Sequence, residues 1–566
     1  MSSIRIVALA LLLIAGAPAS AGVRPLADGA CVTAHPLATQ ACADVLASGG
    51  NAFDAAVAAS ATLGVVEPFC SGFGGGGFFL LHRAADGDNI FIDGREKAPL
   101  ASTADMYRGA DGKVDAMASI TGAKAAAIPF QAALLEHTAQ SYGSRSFATL
   151  LAPAIKAARE GFVVDWRLAK EIASHAARMN APMQAVFAPG GMPLLEGALL
   201  KQPDLAATLE RLAAKGAAEF RSGETARRLL AGVAAGGGIW KPEDLLRIKV
   251  TEREPLVGYY RSNRIITAPP PSAGGAAILE SLTLLEAKGF TTLGTVEGKH
   301  QVIEALRRAY RDRNAYFGDP DFVQVPLYRL LSRSYLLTLA ATIGDKATPS
   351  KDLPAPSAGS EGGQATSVRE GAHTTHFSVM DAAGNRVAGT QTLNIFFGAA
   401  YMPAGTGIVL NDEMDDFSAG VDVSNAYGLA GSRANAIAPG KRPLSSMSPT
   451  FVEGPRGVLV TGTPGGSRIP SMVLLSVLRF VEGATAPEIA ATRRIHHQWL
   501  PDVLNFEPDA LTADEQAALA GLGHVLKAAK EPYGNLQVIV REAASGATTV
   551  GPDPRWIASG QTVPTR

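Results

Sequence analysis

The chain has 566 residues, of which 47% are hydrophobic and 18% are charged, the balance of a folded globular protein rather than a disordered one. Its formal net charge is −1, so no basic field exists to attract nucleic acid or an anionic membrane surface, and neither is expected as a partner. A chain of this length exceeds one small core, which predicts two large lobes or one extended α/β domain.

The N-terminus, "MSSIRIVALALLLIAGAPASAGVRP", has the pattern of a signal peptide. Arg5 precedes an apolar run from Ile6 to Ala15, and Ala19-Ser20-Ala21 supplies a small-residue cleavage site. The apolar run is too short for a membrane anchor. We therefore predict a signal peptide at residues 1–21, a mature chain from near Gly22, and export to the periplasm or the medium without a remaining membrane anchor.

Three cysteines, Cys31, Cys42 and Cys70, lie close together near the predicted mature N-terminus. In an exported chain two of them could pair and leave one over, but an odd number gives no disulfide framework. Three small buried apolar residues are an equally good interpretation. The sequence leaves this choice open.

Residues 36–66 are predicted to be helical, with a break at Gly49-Gly50 and Asn51 as an N-cap. A glycine run, "GFGGGGFFLLHR", follows and satisfies GxGxxG from Gly72 to Gly77. A dinucleotide site needs a strand before that motif and a helix after it, and here the order is reversed. The run therefore predicts a tight chain reversal with close backbone packing.

The rest of the chain is helix-rich first and strand-rich later. A linker at about 345–373, rich in Pro, Ser, Gly and charge, separates the two parts; structureless segments of that length call for a functional explanation. Before it, strands are predicted at 89–100 and 259–275 and helices at 147–235 and 297–315; after it, strands at 376–381, 386–393, 407–417, 448–453 and 457–466, and helices at 470–492 and 511–528.

Several common catalytic signatures do not occur in the sequence, among them G-x-S-x-G, H-E-x-x-H and the Walker A lysine. The pairs His373/His376 and His496/His497 could suggest a metal. Adjacent histidines on a strand point to opposite faces, however, and no carboxylate cluster accompanies them. We therefore predict structural histidines, with no metal and no organic cofactor.

The linker leads directly into Thr374 and Thr375 at the start of a predicted strand. A threonine there ordinarily reflects β-propensity alone. Its hydroxyl is a weak nucleophile unless a base stands beside it, and an N-terminal threonine can use its own α-amino group. Such a residue has to be freed by cutting the bond that precedes it. A mobile linker ending at His373 thus indicates a self-cleavage site.

The sequence resembles the γ-glutamyltranspeptidase family of N-terminal-nucleophile hydrolases over about residues 25–560. The resemblance rests on specific motifs in family order: "GGNAFDAAVA", "GGGGFFL", "DGREKAP", "LLAPAIKAAREGF", "PPPSAGG", "TTHFSVMDAAGN", "TLNIFFG", "NDEMDDF", "KRPLSSMSPT", "TGTPGGSRI" and "HHQWLPD". Any one of them could arise by chance, but the ordered set could not.

This resemblance implies an α+β fold, a four-layer αββα sandwich formed jointly by two chains cut from one precursor. The cut would fall between His373 and Thr374. It would leave a helix-rich large subunit, 22–373, and a strand-rich small subunit, 374–566, which stay together as a heterodimer. Thr374 would open a central strand.

Matching motif to motif implies the catalytic roles. Thr374 would be the nucleophile, with its α-amino group as base, and Thr392 would hydrogen-bond to it and orient it. Gly465 and Gly466 would present backbone N–H groups to the oxyanion, each donor being worth about 3 kcal/mol of barrier.

The resemblance also implies how the charged head of a γ-glutamyl donor is held. An arginine and two hydroxyls would bind its α-carboxylate, acids and an amide its α-ammonium, and an aromatic lid would exclude water. These residues are Arg95, Ser445 and Ser446 for the carboxylate, Asn394, Glu413 and Asp416 for the ammonium, and Tyr427 for the lid.

We therefore expect a γ-glutamyltransferase and hydrolase that acts on glutathione and similar γ-glutamyl amides, with water or an amino-acid or peptide amine as acceptor. Ile395, Phe396 and Phe397 are bulkier and more apolar than the residues often found there. Related acylases take glutaryl side chains of cephalosporins, which lack an α-ammonium; Glu413 and Asp416 favour the γ-glutamyl donor. An exported amino-acid-binding protein without chemistry is the alternative from another class.

Overall fold

The structure is a computed structural model that describes residues 28–354, 373–419, 424–429 and 431–564. The predicted signal peptide and the greater part of the predicted linker, 355–372, lie outside these ranges. Within the described residues, no helix combines the length and the apolar character needed to cross a membrane.

The described residues form eighteen strands and seventeen α-helices. The strands are β1 (Gly29–Thr33), β2 (Gly76–Arg83), β3 (Asp88–Gly94), β4 (Phe162–Val163), β5 (Leu199–Leu200), β6 (Thr251–Arg253), β7 (Leu256–Tyr260), β8 (Asn263–Thr267), β9 (Thr375–Met380), β10 (Arg386–Thr392), β11 (Thr450–Gly454), β12 (Gly457–Thr461), β13 (Ile495–His496), β14 (Leu504–Phe506), β15 (Leu526–Ala528), β16 (Gln537–Glu542), β17 (Thr548–Pro552) and β18 (Ser559–Val563). The helices are α1 (Pro36–Ala47), α2 (Ala52–Val66), α3 (Gln131–Tyr142), α4 (Phe147–Glu160), α5 (Trp166–His175), α6 (Ala181–Phe187), α7 (Pro203–Lys215), α8 (Ala218–Arg221), α9 (Glu224–Ala235), α10 (Pro242–Leu246), α11 (Gly274–Ala287), α12 (Val296–Tyr316), α13 (Leu327–Leu330), α14 (Arg333–Ala340), α15 (Ile469–Val481), α16 (Ala486–Ala491) and α17 (Ala513–Gly521).

Two large antiparallel sheets carry the fold. The first has the strand order β18-β1-β9-β10-β2-β3-β6, and the second has the order β17-β16-β12-β11-β8-β7. Each sheet combines strands from before and after the bond between His373 and Thr374. In the first sheet, β9 and β10 lie between β1 on one side and β2 on the other.

The alternation of side chains along β2 shows how the layers are arranged. Phe79 and Leu81 join the core between the first sheet and helices α1 to α4, whereas Phe78 and Leu80 face the core shared with the second sheet. Helices α11, α15 and α16 cover the second sheet on its other side. The order of layers is therefore helix, sheet, sheet, helix, as the αββα prediction requires.

The segment that precedes β2 shows why the glycine run is not a nucleotide site. Helix α2 begins at a capping box in which the Asn51 side chain accepts the Phe53 and Asp54 N–H groups, and its fifteen residues are all buried. The glycines then bring the chain against β10, where a Cβ at Gly75 would lie 1.9 Å from the Thr392 carbonyl oxygen. The helix-turn-strand order and the close backbone approach agree with the sequence analysis.

The cysteine question is settled by the fold. Cys31 in β1 and Cys42 in α1 form a disulfide with their Cα atoms 6.1 Å apart, and Cys70 is a free, buried thiol. Of the two interpretations left open, one pair with one cysteine left over is correct.

The strand predicted at 407–417 is wrong. This segment is irregular and ends in a 3-10 turn, Glu413–Asp416. The Asn411 side chain accepts the N–H groups of Glu413 and Ala127, and the Asp412 carboxylate accepts the Ile395 N–H. Such side-chain bonds to the backbone compete with a ladder, so the apolar start of the segment does not continue as a strand.

The first part of the predicted linker, 345–354, is held to the body of the protein. Ser350 is 4% exposed; its N–H donates to Asp502 and its hydroxyl donates to the Trp499 carbonyl oxygen. Residues 345–354 are therefore anchored to the body of the protein at Ser350.

Candidate active site

Thr374 lies immediately before β9, in the middle of the first sheet. Because Thr375 pairs with Gln391 in antiparallel register, Thr392 on β10 lies opposite Thr374. Their hydroxyl oxygens are 3.0 Å apart, and the Asn394 N–H donates to the Thr392 hydroxyl at 2.8 Å. The sheet register thus fixes the two threonines predicted to act together.

The peptide bond before Thr374 meets one of the predicted oxyanion donors. The Gly465 N–H donates to the carbonyl oxygen of His373 at 3.4 Å. Gly465 and Gly466 have φ values of +143° and +56°, a region that disfavours side chains. Both glycines are therefore needed for the backbone to turn beneath this carbonyl.

The backbone at Thr374 is strained. Its φ is +108°, which is rare for any residue with a side chain and rarer for a β-branched one. Such a conformation costs on the order of 1–3 kcal/mol and persists only where the surroundings impose it. On its N-terminal side, the His373 ring accepts the Phe396 N–H at 3.0 Å and packs edge-on against the Phe396 ring. Neighbours thus hold both sides of the bond.

A small cavity lies beside Thr374. It brings together the predicted catalytic, donor-binding and lid residues except Gly465, which adjoins it. Its lining includes Thr374, Thr392, Gly466, Arg95, Asn394, Glu413, Asp416, Ser445, Ser446 and Tyr427.

Arg95 is buried. It was predicted to bind the α-carboxylate of the donor, and it pairs here with the acids predicted to bind the α-ammonium. Its guanidinium lies 2.6 Å from the Glu413 carboxylate, 2.5 Å from that of Asp416 and 3.5 Å from that of Glu96. It also donates to two backbone carbonyls, those of Pro443 and Leu444. Arg95 is therefore already paired with acids of the cavity, and a zwitterionic ligand would have to exchange partners with them.

The three acids around Arg95 differ in their exposure. Burial raises the pKa of Glu413 well above its usual range and that of Glu96 to about 7, although Arg95 opposes both shifts. Asp416 has 13% of its side chain exposed, and the Asn425 amide donates to it. Asp416 is therefore the acid best placed to meet a ligand.

Tyr427 covers the cavity from the side of the glycines. Its ring is 6% exposed, and its hydroxyl donates to the Asn394 carbonyl oxygen at 3.0 Å. A Cβ at Gly466 would lie 2.2 Å from the ring, so the two residues are in close contact. The Asn394 amide in turn donates to Asp412. Tyr427 therefore lies at the cavity wall between Gly466 and Asn394, and its role as a lid stays a prediction.

The sequence analysis missed three residues of this site. Glu96 follows Arg95 directly and pairs with it, and Asp412 fixes the Asn394 amide. Arg313 lies in the last turn of α12 and lines the cavity. The only signal for Arg313 was a charged residue in a helix, which ordinarily indicates a solvated face.

One group outside the cavity has the composition of a metal site. Ligand atoms of His300, Glu304 and His524 lie within 4.8 Å of one another. His300 is hydrogen-bonded through one nitrogen to His524 and through the other to the Gly344 carbonyl, while Glu304 pairs with Arg308 at 2.6 Å. These atoms are already engaged with protein partners, so the geometry favours a structural cluster over a metal centre.

The histidines predicted to be structural are buried and hydrogen-bonded. His376 bonds to the Thr390 hydroxyl at 2.8 Å and His496 to that of Ser471 at 2.7 Å. Burial lowers the pKa of each to about 3, so both rings are neutral over the physiological range.

Comparison with known proteins agrees with this geometry. The family model described as gamma-glutamyltranspeptidase matches residues 38–562. The glutathione hydrolase proenzyme of Pseudomonas sp. (strain A14) is 42% identical over 539 residues, 93% of this chain and 90% of the relative. That of Escherichia coli (strain K12) is 39% identical, over 93% of this chain and 89% of the relative.

Among solved structures, the cephalosporin acylase from Bacillus halodurans superposes with a TM-score of 0.82 at 27% identity. The match covers 96% of this chain and 97% of the acylase. This likeness confirms the predicted fold class. With a family model that spans most of the sequence and relatives near 40% identity, the chain belongs to the γ-glutamyltranspeptidase family.

Proposed function

We propose that this chain is a self-processing γ-glutamyltransferase and glutathione hydrolase with Thr374 as its nucleophile. One observation carries the proposal: the Thr374 hydroxyl is 3.0 Å from that of Thr392 while the Gly465 N–H donates to the carbonyl that precedes Thr374. A nucleophile and an oxyanion donor thus meet at one peptide bond. The relatives are named glutathione hydrolase proenzymes, which supports the same activity and a processed precursor.

In the maturation step, the Thr374 hydroxyl oxygen attacks the carbonyl carbon of His373. The carbonyl electron pair moves to the oxygen, where the Gly465 N–H stabilises the charge. The carbon–nitrogen bond then breaks, the nitrogen takes up a proton, and an ester remains between His373 and the threonine oxygen. Water hydrolyses this ester, leaving a carboxylate on His373 and a free α-amino group on Thr374.

The mature enzyme would use the same groups on its substrate. The α-amino group of Thr374 takes the hydroxyl proton while the oxygen attacks the γ-carbonyl of the donor. Gly465 and Gly466 stabilise the oxyanion, and the amine leaves with a proton. The γ-glutamyl group is then ester-linked to Thr374 and passes to water or to an amino-acid or peptide amine.

The charged cavity would select the donor. Arg95, with Ser445 and Ser446, takes the α-carboxylate, and Asp416, with Glu413 and Asn394, takes the α-ammonium. In the empty cavity Arg95 and Asp416 pair with each other, so a zwitterion can replace both halves of that ion pair. Tyr427 would close over the bound head group.

The acids favour a γ-glutamyl donor over the glutaryl donor of a cephalosporin acylase. A glutaryl group carries the carboxylate but lacks the ammonium. If it displaced Asp416 from Arg95, that acid would lose its cation, which is costly in a partly buried site.

The N-terminal residues 1–21 are proposed to export the chain before residues 22–373 and 374–566 form the processed heterodimer.

The test is intact mass and N-terminal sequencing of the purified exported protein, followed by turnover of γ-glutamyl and glutaryl p-nitroanilides. Two chains, the smaller beginning Thr374-Thr375-His376-Phe377, with preference for the γ-glutamyl substrate, are expected. A processed protein that prefers the glutaryl substrate would instead be an acylase. An uncut, inactive chain that binds glutamate would be a binding protein.

A further inference from the structure

Arg313 is a buried cation that forms no ion pair with any described residue. It is 4% exposed, and no carboxylate oxygen of the described residues lies within the 4.0 Å ion-pair distance of its guanidinium. Three other arginines of α12 each pair with a carboxylate: Arg307 and Arg308 with Glu304, and Arg311 with Asp312. An uncompensated buried charge is costly, so its position at the cavity wall calls for an anionic partner from outside the chain.

The hydrogen bonds of Arg313 connect it to the donor site. One terminal nitrogen donates to the Ser446 hydroxyl oxygen at 3.1 Å, the other donates to the Asn314 side chain at 3.1 Å, and the Nε has no partner within the described part of the chain. A guanidinium can only donate, so the Ser446 oxygen has to accept. The Ser446 hydroxyl proton is thereby left to donate to another group, and Ser446 itself lines the cavity.

Arg95 and Arg313 differ in how much positive charge they offer. Arg95 is in contact with Glu413, Asp416 and Glu96. An incoming carboxylate therefore meets an arginine that negative groups already surround. Arg313 has no such neighbours at ion-pair distance, and it acts on the cavity through a hydroxyl whose donor strength its charge increases.

We propose that Arg313 is a positioning residue for the α-carboxylate of the acyl donor: it turns the Ser446 hydroxyl towards that carboxylate and supplies the positive charge that the acids around Arg95 cancel. The proposal rests on the proposed function and deepens it. It makes the α-carboxylate, rather than the ammonium, the group that Arg313 selects.

Three p-nitroanilides separate the two head groups. The γ-glutamyl anilide carries both, the 4-aminobutyryl anilide keeps the ammonium without the carboxylate, and the glutaryl anilide keeps the carboxylate without the ammonium. In Arg313→Met, KM for the γ-glutamyl anilide should rise by about tenfold or more, with kcat changed by less than about threefold. KM for the glutaryl anilide should rise by the same factor if the enzyme turns this substrate over. The 4-aminobutyryl anilide should change by less than about twofold in kcat/KM.

The path through Ser446 is tested by a double-mutant cycle. If Arg313 acts through the Ser446 hydroxyl, the effect of Arg313→Met should shrink at least about threefold in a Ser446→Ala background. Arg313→Lys keeps the charge but not the planar guanidinium group. Its KM should lie between those of the wild type and Arg313→Met. Arg308→Met is the matched control: it removes a buried arginine of the same helix whose partner is Glu304 rather than the cavity, and it should leave the ratio between the anilides unchanged.

Each failure has its own signature. A wild-type enzyme without γ-glutamyl turnover would overturn the proposed function, and this inference with it. If the wild type is active but Arg313→Met keeps its KM for the γ-glutamyl anilide, or loses kcat/KM equally for all three anilides, this inference is overturned. The proposed function would still stand. The inference would also be overturned if the fold-changes in KM caused by Arg313→Met and Ser446→Ala simply multiply in the double variant. If Arg313→Met does not fold or process, Arg313→Lys and Ser446→Ala give the same substrate ratios.

Discussion

The hydroxyl of Thr374 is placed by three separate parts of the chain. Thr392 lies opposite it in the sheet, Asn394 fixes Thr392, and Gly465 holds the carbonyl on its N-terminal side. None of these contacts requires a prior cut. The uncut chain therefore already contains the groups that the proposed maturation needs.

Replacement of the nucleophile tests that conclusion. Thr374→Ala removes the attacking oxygen, so we expect an uncut chain without γ-glutamyl turnover, seen as one mass from residue 22 to 566. Thr374→Ser keeps an oxygen and should still be cut, although more slowly. A two-chain, active Thr374→Ala protein would rule out this residue as the nucleophile.

Asp416 offers a second test at the same scale. Asp416→Ala should raise KM for γ-glutamyl donors by about 30-fold or more, because the donor ammonium loses a partly buried charged partner worth about 2–3 kcal/mol. Glutaryl anilide has no ammonium and serves as the control, with a smaller change expected. Steady-state kinetics with both anilides decide the point; an unchanged KM for the γ-glutamyl anilide would contradict the donor-binding model.

At the scale of elements, Glu67 joins the end of α2 to the strand that carries the nucleophile. It follows the last residue of α2, is 1% exposed, and accepts a hydrogen bond from the Thr375 hydroxyl at 2.6 Å. Burial raises its pKa from 4.5 to about 8, an effect that the Thr375 hydroxyl bond opposes. This contact therefore holds a protonated acid at neutral pH.

The raised pKa predicts a pH-dependent stability. Between pH 4.5 and about 8 the unfolded chain releases the Glu67 proton while the folded chain keeps it, so stability falls as pH rises through this window. Glu67→Gln is neutral throughout. Its free energy of unfolding should therefore match the wild type near pH 4.5 and exceed it near pH 8, as measured by urea unfolding at both values.

Glu160→Gln is the control for that experiment, because it makes the same substitution at an exposed position. An advantage of Glu67→Gln that is equal at the two pH values would contradict the buried, protonated state of this residue.

Local signals in the sequence predicted several elements correctly. Asn51 marks the start of α2, and the glycine run before Phe78 marks the turn into β2. The strand predicted through Asn411 and Asp412 failed because these side chains bond to backbone groups of distant segments, which no local pattern reveals. Helix and strand periodicity therefore describes the core better than the loops of the site.

The residues of the site could be predicted mainly from the sequence motifs that contain them. They named the residues that line the cavity, but not the pairing of Arg95 with Asp416 and Glu413, because that pairing depends on how distant loops meet. Arg313 was hidden for the same reason: a helix with four arginines gives no sign of which one has no carboxylate partner among the described residues.

For the molecule as a whole, the mixed origin of the two sheets predicts how the processed chains behave. Strands β9 and β10 lie between β1 and β2, and both large sheets combine strands from the two sides of the cut. The processed chains should therefore co-elute as one species in native buffer, with a mass of about 57 kDa if the predicted signal peptide at residues 1–21 is removed. They should separate only in concentrations of urea that unfold the protein. Separation without loss of secondary structure would contradict this topology.

The hydrogen bond between Gly465 and the His373 carbonyl joins residues that are 92 positions apart in the sequence, and Thr392 comes from a third segment. These groups meet only after both sheets have formed. The proposed cut would consequently be a chemical record of correct folding, because a misfolded molecule would keep its amide bond and have no free threonine amine. The ratio of cut to uncut chain in a preparation would then report the fraction of molecules that reached the native state. An incompletely folded copy would be inactive towards γ-glutamyl amides, because it would lack the free threonine amine.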